Sequence, residues 1–158
     1  MQKNKLNLGC GFDKRIDDDW IHIDKSSECN PDYIWDITKI PWPKEWAKAN
    51  SIDYIKMDNL AEHIEPETWI EVIKECYRIL KPKGIIWIRV PWCHPNNYLA
   101  AFSDPMHCNY FTEQTFGYYD WRTPRWKNFG RCYGIPKFEI ISHKAEGIFI
   151  TCELKKVL

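Results

Sequence analysis

The chain has 158 residues, of which 44% are hydrophobic and 15% aromatic, a composition that predicts one folded domain and excludes a disordered chain. Its 22 basic residues balance its 22 acidic residues, so net charge gives no support to a dedicated binder of nucleic acids or membrane surfaces. The sequence contains no apolar run near the roughly 20 residues of a membrane span, and its N-terminal apolar segment is short for a secretory signal, which together predict a cytoplasmic protein.

Short apolar segments in the first third of the chain predict β-strands. The predicted strands cover residues 5–9, 20–24, 32–38 and 51–59. The segment PETWIEVIKECYRILKPKG then places apolar residues at helical spacing, with Pro66 in its first turn and the KPKG of residues 81–84 as the stop. We predict a helix there, followed directly by a strand at 84–92, whose continuous apolar run is typical of a strand buried on both faces.

The C-terminal half predicts further strands and one irregular region. Residues 137–147 and 148–158, divided at Glu146-Gly147, predict an antiparallel pair. Since the chain shows no repeat or linker, we predict a single α/β domain over residues 1–158 with a mostly parallel sheet. Residues 93–134 lack a clear period and are rich in Pro, Asn, Trp, Tyr and His, which predicts a substrate or lid insertion; TEQTFGYYDW within it predicts a short helix capped by Thr112.

Glycines and acids collect where the first four predicted strands end. These positions are Gly9-Cys10-Gly11, Asp24, Asp36 and Met57-Asp58-Asn59. In an open parallel sheet ligands bind beyond the carboxyl ends of the strands, near the point where the strand order reverses. Glycines let a ligand approach the backbone, and an acid at the end of the second strand accepts two hydrogen bonds from a ribose diol. The alternative reading is that these polar residues are solvated strand caps.

The seven cysteines, an odd number without any CxxC pair, predict reduced thiols that are mostly buried. A metal site built from Cys93-His94 and His107-Cys108 is the alternative. Because adjacent ligands do not match the usual zinc-ligand spacing, we predict no metal.

The chain resembles the small class I S-adenosylmethionine-dependent methyltransferases of the type 11-like group. The resemblance rests on LNLGCG, WIHID, LAEHI and ECYRILKPKGIIWIRVP, in order over residues 4–92, and more loosely on SDPMHCNYFTEQTF. It implies a Rossmann-like fold, S-adenosyl-L-methionine as cofactor and methyl transfer as the activity.

The resemblance also implies roles for individual positions. Gly9 and Gly11, with Cys10 between them, would let the backbone approach the amino-acid portion and sugar of the cofactor. Asp24 would bind the ribose hydroxyls, Asp36 and Ile37 would contact adenine, and Asp58 and Asn59 would line the methionine side. The chain departs from the family pattern in three places: Asn7 stands where an acid usually contacts the cofactor's ammonium group, the first crossover is shortened, and Lys83 replaces a glycine.

The methyl acceptor is predicted from the remaining motifs. His107, beside Asp104, is the preferred general base; His63 and, with less support, His94 are alternatives, and an ordering role in a loop is the competing reading for each. The fourth strand ends in MDNLAEHI, without the Asp/Asn-Pro-Pro-Tyr/Phe motif of enzymes that methylate amines of nucleic-acid bases. We therefore predict O-methylation of a small molecule or glycan.

Two alternative functions stay open on the sequence alone. The aromatic and basic segment WRTPRWKNFGR at 121–131 is compatible with a nucleic-acid methyltransferase, because rings stack on bases while Arg and Lys contact phosphates. The second alternative is a non-catalytic cofactor-binding relative that serves as an interaction module. No membrane partner is predicted, and the sequence leaves the oligomeric state open.

Overall fold

A computed structural model describes residues 4–12, 19–96 and 99–158 of the chain. Its seven strands form one sheet in the order β3-β2-β1-β4-β5-β7-β6, in which β1 to β5 run parallel and β7 runs antiparallel to both of its neighbours. The strands are β1 Lys5–Leu8, β2 Trp20–Asp24, β3 Tyr33–Ile34, β4 Ile52–Asp58, β5 Leu80–Pro91, β6 Phe138–Glu146 and β7 Phe149–Lys156. The predicted α/β sheet with an antiparallel C-terminal pair is confirmed.

Among the described residues, α-helices are fewer than strands. The longest is α1, Pro66–Ile79, and two single-turn helices follow, α2 Leu99–Phe102 and α3 Glu113–Phe116. Tighter 3₁₀ turns cover Ser27–Cys29 and Ala61–His63, and a π-helical turn covers Trp126–Gly130. No helix in the described ranges combines the length and the apolar composition that crossing a bilayer requires.

Helix α1 forms where the helical period predicts it and packs one face against the sheet. Pro66 lies in its first turn, where a missing amide proton costs nothing. Trp69, Val72, Ile73, Cys76 and Ile79 form its buried stripe. The predicted stop at residues 81–84 is wrong by a few residues, because the helix ends at Ile79 and β5 begins at Leu80. Lys83 takes a left-handed backbone conformation with φ of 68° inside the first part of that strand.

Two other predicted elements are shorter in the structure. The strand predicted at 32–38 contains only Tyr33–Ile34, because the backbone turns at Asp36, whose carbonyl oxygen accepts a hydrogen bond from the Lys39 amide at 2.9 Å. The helix predicted from Thr112 is the single turn α3. Its predicted cap is confirmed, since the Thr112 hydroxyl accepts from the Thr115 amide and the Thr115 hydroxyl accepts from the Thr112 amide.

The two faces of the sheet differ in what covers them. One face holds the main core, to which Leu6, Ile23, Ile55 and Met57 contribute from the strands. The opposite face bears aromatic rings and lysines around a shallow cavity of about 460 Å³, lined by Lys5, Trp20, Tyr54, Lys56 and Trp87. The predicted shortening of the first crossover concerns residues 9–19, of which 13–18 lie outside the described residues.

The connection from β3 to β4 is anchored to α1 by Trp42. Its indole Nε1 donates to the Ile37 carbonyl oxygen at 2.8 Å, and its amide donates to the Glu75 carboxylate of α1 at 3.1 Å. The ring also packs on Trp46, with 5.4 Å between centroids. Residues 35–51 are therefore fixed by buried contacts rather than by a regular element.

Candidate functional site

A cavity of about 400 Å³ opens at the carboxyl edge of the sheet, where the strand order changes direction. Strand β1 pairs with β2 on one side and with β4 on the other, so the loops after these strands diverge around the cavity. The volume lies in the range of small-molecule and cofactor sites. Seven residues predicted for the site line it: Gly9, Asp24, Asp36, Ile37, Asn59, His63 and Asp104.

Gly9 begins the loop after β1 and must be glycine for two reasons. Its φ is +63°, a left-handed conformation that side chains disfavour. A Cβ atom at this position would also lie 2.6 Å from Cδ1 of Leu60, which lines the cavity. The Gly9 backbone therefore forms part of the cavity wall with no side chain above it.

The Asp24 carboxylate is fixed by the backbone on both of its oxygens. The Gly11 amide donates to Oδ2 and the Ser26 amide donates to Oδ1, each at 2.9 Å. A carboxylate has about four lone-pair directions, so each oxygen keeps one for a ligand. The side chain thus presents two acceptors in a fixed orientation at the end of β2.

Asp36 closes the neighbouring turn in a similar way. Its Oδ1 accepts from the Thr38 amide at 3.0 Å and from the Thr38 hydroxyl at 2.7 Å. Partial burial opposes ionisation, but these hydrogen bonds and the charges of Lys39 and Lys25 outweigh it and hold the pKa of Asp36 below its ordinary value. Asp36 is therefore an anionic acceptor in the wall of the cavity.

The cavity also has lining residues that the sequence interpretation did not select. These are Lys25, Trp35, Thr38, Leu60, Ile64 and Met106. Five of them lie within a few residues of Asp24, Asp36 or Asn59 in the sequence. Their proximity to these predicted residues is the one sequence feature that could have indicated them. Met106 comes from the region between β5 and β6, and only the fold brings it here.

Several residues predicted to bind the cofactor do not line the cavity. Asn7 is buried under the loop, with its amide nitrogen 3.3 Å from Nδ1 of His22, and Cys10 is buried as well. Gly11 uses its amide to hold Asp24. The Asp58 carboxylate pairs with Arg89 at 2.6 Å and with Lys56 at 3.4 Å. Cofactor contacts from these four residues stay predictions.

The structure brings the two preferred candidate bases together. The His63 and His107 rings meet edge to face with 4.7 Å between centroids. His107 Nδ1 lies 2.9 Å from the Ala101 carbonyl oxygen, and its Nε2 lies 3.9 Å from Oδ2 of Asp104. His94 is elsewhere, stacked on Trp92 at 4.3 Å. Burial and the neighbouring His107 lower the pKa of His63, which favours its neutral form.

Glu62 joins this cluster and was missed by the sequence interpretation. Its side chain is only 2% exposed, and neither carboxylate oxygen has a hydrogen-bond partner among the described residues. Burial raises the pKa of Glu62 to about 7. One ligand-type atom from each of Glu62, His63 and His107 lies within 4.8 Å of the others. The metal site considered from the sequence, Cys93-His94 with His107-Cys108, shares only His107 with this cluster.

The aromatic and basic segment at 121–131 is largely engaged within the protein. Arg122 pairs with Asp120 at 2.5 Å and with Glu139 at 2.9 Å. Trp126 is buried, and its Nε1 donates to the Ile135 carbonyl oxygen at 3.0 Å. Arg125 donates to Gln114 at 2.7 Å. Trp121 and Phe129 keep part of their rings exposed.

Comparison with known families gives one match in sequence. Residues 23–88 match the family model described as a methyltransferase domain. These residues run from the end of β2 to the middle of β5 and include Asp24, Asp36 and Glu62. A search of curated proteins gives no match.

Comparison of structures gives many matches over nearly the whole chain. A SAM-dependent methyltransferase from Archaeoglobus fulgidus shares 15% identity at a TM-score of 0.64, covering 98% of this chain and 86% of its own. One from Methanosarcina mazei shares 16% identity at 0.65, covering 100% and 95%. Phosphoethanolamine N-methyltransferase 1 from Haemonchus contortus, in complex with phosphoethanolamine and S-adenosylhomocysteine, shares 14% at 0.67, covering 99% of this chain and 39% of its own. At these identities the structures show a common fold.

Proposed function

We propose that this chain is a class I S-adenosylmethionine-dependent methyltransferase that methylates an oxygen atom of a small molecule or glycan. The shared fold and the match over residues 23–88 support this proposal. The observation that carries the cofactor part of this proposal is the Asp24 carboxylate. The backbone fixes it in the cavity wall, and it keeps one acceptor direction on each oxygen. A ribose diol offers two donors at matching spacing.

We place the rest of the cofactor along the same wall. Adenine lies between Ile37 and the Trp35 ring, with its exocyclic amine toward Asp36, which line the cavity side by side. The methionine portion runs over Gly9, where the backbone is uncovered, toward Asn59. We place the reactive methyl group at the end of this path, near His63 and Asp104, which also line the cavity.

Chemistry at that end requires alignment and the removal of one proton. The acceptor oxygen attacks the methyl carbon, the carbon–sulfur bond breaks, and the electron pair stays on the sulfur of S-adenosylhomocysteine. The positive sulfonium supplies its own leaving group, so positioning contributes much of the acceleration. The acceptor hydroxyl must also lose its proton, and the cluster of His63, His107 and Asp104 supplies the polar groups for this step.

A small acceptor fits the structure better than a nucleic acid does. The 121–131 segment, on which the nucleic-acid alternative depends, has its Arg122 paired with two carboxylates and its Trp126 ring buried. Stacking on bases and contacts with phosphates need free rings and free cations. Arg122 and Trp126 are engaged within the protein, and their loss to such contacts favours the small-molecule or glycan acceptor, while the part-exposed rings of Trp121 and Phe129 are the groups a nucleic acid would have to use.

Calorimetric titration with S-adenosylhomocysteine tests the cofactor site. We expect saturable binding by the wild type and about a 100-fold weaker affinity for Asp24→Ala, because two hydrogen bonds to a charged acceptor are lost. Glu28→Ala, which removes an exposed acid four residues further along the chain, is the matched control and should bind like wild type. Absence of binding at millimolar ligand would refute the proposal, and equal affinity of Asp24→Ala would refute the ribose assignment.

An acceptor screen tests the substrate class. Release of S-adenosylhomocysteine is measured with hydroxylated small molecules and glycans, with amines such as phosphoethanolamine, and with RNA and DNA. Turnover with a hydroxylated acceptor, and a product heavier by one methylene, supports the proposal. Turnover with amines alone or with nucleic acids alone would overturn the oxygen-acceptor assignment while leaving methyl transfer intact.

A further inference from the structure

The buried carboxylate of Glu62 lacks the partner that such a group needs. Both oxygens are fully covered, and neither has a hydrogen bond from any of the described residues. Burying a carboxylate without a hydrogen bond or a positive charge is costly, and buried acids in proteins are normally paired or bound to a metal. A feature this unfavourable in the apoprotein points to a cation as its partner.

Two imidazole rings converge on the same point. One nitrogen from each of His63 and His107 and one oxygen of Glu62 lie within 4.8 Å of one another. An ion with bonds of about 2.1 Å needs these atoms closer by on the order of 1 Å, a contraction that side-chain rotation supplies.

A backbone carbonyl orients the His107 ring, as is typical of metal ligands. His107 Nδ1 faces the Ala101 carbonyl oxygen at 2.9 Å, so this nitrogen carries the proton and Nε2 is left as the ligand atom. In metal sites the non-ligating ring nitrogen usually donates to a carbonyl or carboxylate, and this bond fixes both the tautomer and the ring orientation.

The backbone also holds the three donors together without any ion. The Glu62 carbonyl oxygen accepts hydrogen bonds from the amides of Cys108 at 2.9 Å and Asn109 at 3.1 Å. These bonds tie the segment after His107 to the turn that contains Glu62 and His63, although more than 40 residues separate them in sequence. The donor set is therefore largely preformed.

The donor types select a class of ion. Imidazole nitrogens favour zinc and other divalent transition metals, whereas magnesium and calcium favour sites made of oxygen ligands. Two histidines and one glutamate are also a set used by catalytic zinc sites, in which three protein ligands leave a further position open. His63 and Asp104 line the cavity, so the open position faces the acceptor end.

We propose that Glu62, His63 and His107 bind one divalent transition-metal ion, whose open coordination position takes the oxygen atom that receives the methyl group. The second half of this proposal rests on the proposed O-methyl transfer. Coordination lowers the pKa of a bound hydroxyl and fixes its position. The proton leaves through the exposed carboxylate of Asp104 to solvent, the oxygen attacks the methyl carbon, and sulfur departs with the electron pair of the broken bond.

Titration of the chelator-treated protein with Co²⁺ tests the metal site independently of activity. We expect one equivalent of Co²⁺ with a d–d absorption band and without the intense charge-transfer band that a thiolate ligand gives. Glu62→Gln, which preserves the size of the side chain, and His107→Ala should each weaken binding at least 10-fold. His94→Ala and Cys108→Ser, which remove ligand-type groups outside the proposed set, are the matched controls and should bind like wild type.

Three results would overturn the metal site: no Co²⁺ bound at millimolar concentration, binding by Glu62→Gln equal to wild type, or a thiolate band that Cys108→Ser abolishes. Competition by Zn²⁺ for the Co²⁺ signal supports it. Thermal melts of each variant confirm that a loss of binding is not a loss of fold.

The acceptor half of the proposal is tested by chelation during turnover. Removing the ion should abolish methyl transfer but leave the affinity for S-adenosylhomocysteine unchanged, because Asp24 and Asp36 are outside the metal site. Turnover that persists in chelator would overturn the acceptor role. Failure of S-adenosylhomocysteine to bind at all would instead refute the proposed function, so the two failures are distinguishable.

Discussion

Two carboxylates at the same edge of the sheet, Asp24 and Glu62, have opposite surroundings. Asp24 follows β2 directly, and each of its oxygens accepts a backbone hydrogen bond in a half-exposed position. Glu62 lies four residues after β4 in a 3₁₀ turn, fully buried, with neither oxygen partnered by a described residue. Asp24 lines the cavity, whereas Glu62 is buried next to the lining residue His63.

The contrast is between a carboxylate whose hydrogen bonds are supplied by the protein and a carboxylate for which the described residues supply none. Backbone hydrogen bonds already fix the Asp24 carboxylate, so a ligand that binds its remaining acceptor positions costs little additional side-chain entropy. The Glu62 carboxylate is buried without a partner among the described residues, and its desolvation lowers the stability of the metal-free protein. Four predictions test this difference, from the largest expected effect to the smallest.

Glu62→Gln should stabilise the metal-free protein by about 3 kcal/mol at pH 8, because the substitution removes a buried charge whose pKa is raised from 4.5 to about 7. Chemical denaturation in the presence of chelator measures the change. Glu75→Gln is the matched control: that buried carboxylate pairs with Arg78 and accepts from the Trp42 amide, so its loss should destabilise. Destabilisation by both substitutions would show that the Glu62 carboxylate, like that of Glu75, makes favourable interactions in the folded protein.

The same group should make stability depend on pH. Because the pKa of Glu62 is higher in the folded protein than in the unfolded chain, the folded state holds its proton more tightly, and the stability from this group is lost as pH rises from about 4.5 to about 7. The difference in unfolding free energy between wild type and Glu62→Gln isolates this effect, with an amplitude of about 3 kcal/mol. A difference that stays constant over this range would contradict the assignment.

Asp24→Asn should act in the opposite direction to Glu62→Gln, although both replace a carboxylate by an amide. The Gly11 and Ser26 amides bind different oxygens of Asp24, and asparagine offers only one oxygen. We expect a loss of about 1–2 kcal/mol in stability and a weaker affinity for S-adenosylhomocysteine. Denaturation and calorimetry measure the two effects, and a stabilised variant would show that Asp24 is as poorly satisfied as Glu62.

Asp104→Asn should have the smallest effect on the apoprotein. Its carboxylate is 45% exposed and lies 3.9 Å from His107 Nε2, so the pair contributes at most about 0.5 kcal/mol to stability. Thermal melts at pH 6 and pH 8 measure it. The Met106 amide donates to Oδ1 of Asp104 at 2.8 Å, a bond that asparagine can keep, so a loss above about 1 kcal/mol would contradict the small contribution expected of the ion pair.

Local pattern predicted much of the fold and several of the residues that line the cavity. Helix α1 and strands β1, β2, β4, β6 and β7 follow from periodicity and turn residues, and Asp24 and Asp36 follow from their places at strand ends. The early end of β3 did not follow, because a turn closed by Thr38 and Lys39 competes there with strand pairing.

The cluster of Glu62, His63 and His107 was less predictable because long-range contacts create it. The segment LAEHI indicates the histidine as a functional candidate but does not indicate that the glutamate is buried. In the fold, the amides of Cys108 and Asn109, from beyond β5, bond to the Glu62 carbonyl oxygen. His107 was predicted as a base with Asp104, and its 4.7 Å contact with His63 depends on the same folding-over of the chain. Ligands that come from segments far apart in the chain leave no characteristic spacing in the sequence by which they could be predicted.

The Trp42 anchor has a consequence for how the protein opens. Its indole Nε1 donates to the carbonyl oxygen of Ile37 in the wall of the cavity, while its amide donates to Glu75 of α1. The wall and the helix therefore form one cooperative unit, and exchange of their amide protons should be slowed together when the cofactor binds. A ligand that touches only the loop after β3 would then protect a helix on the far side of Trp42.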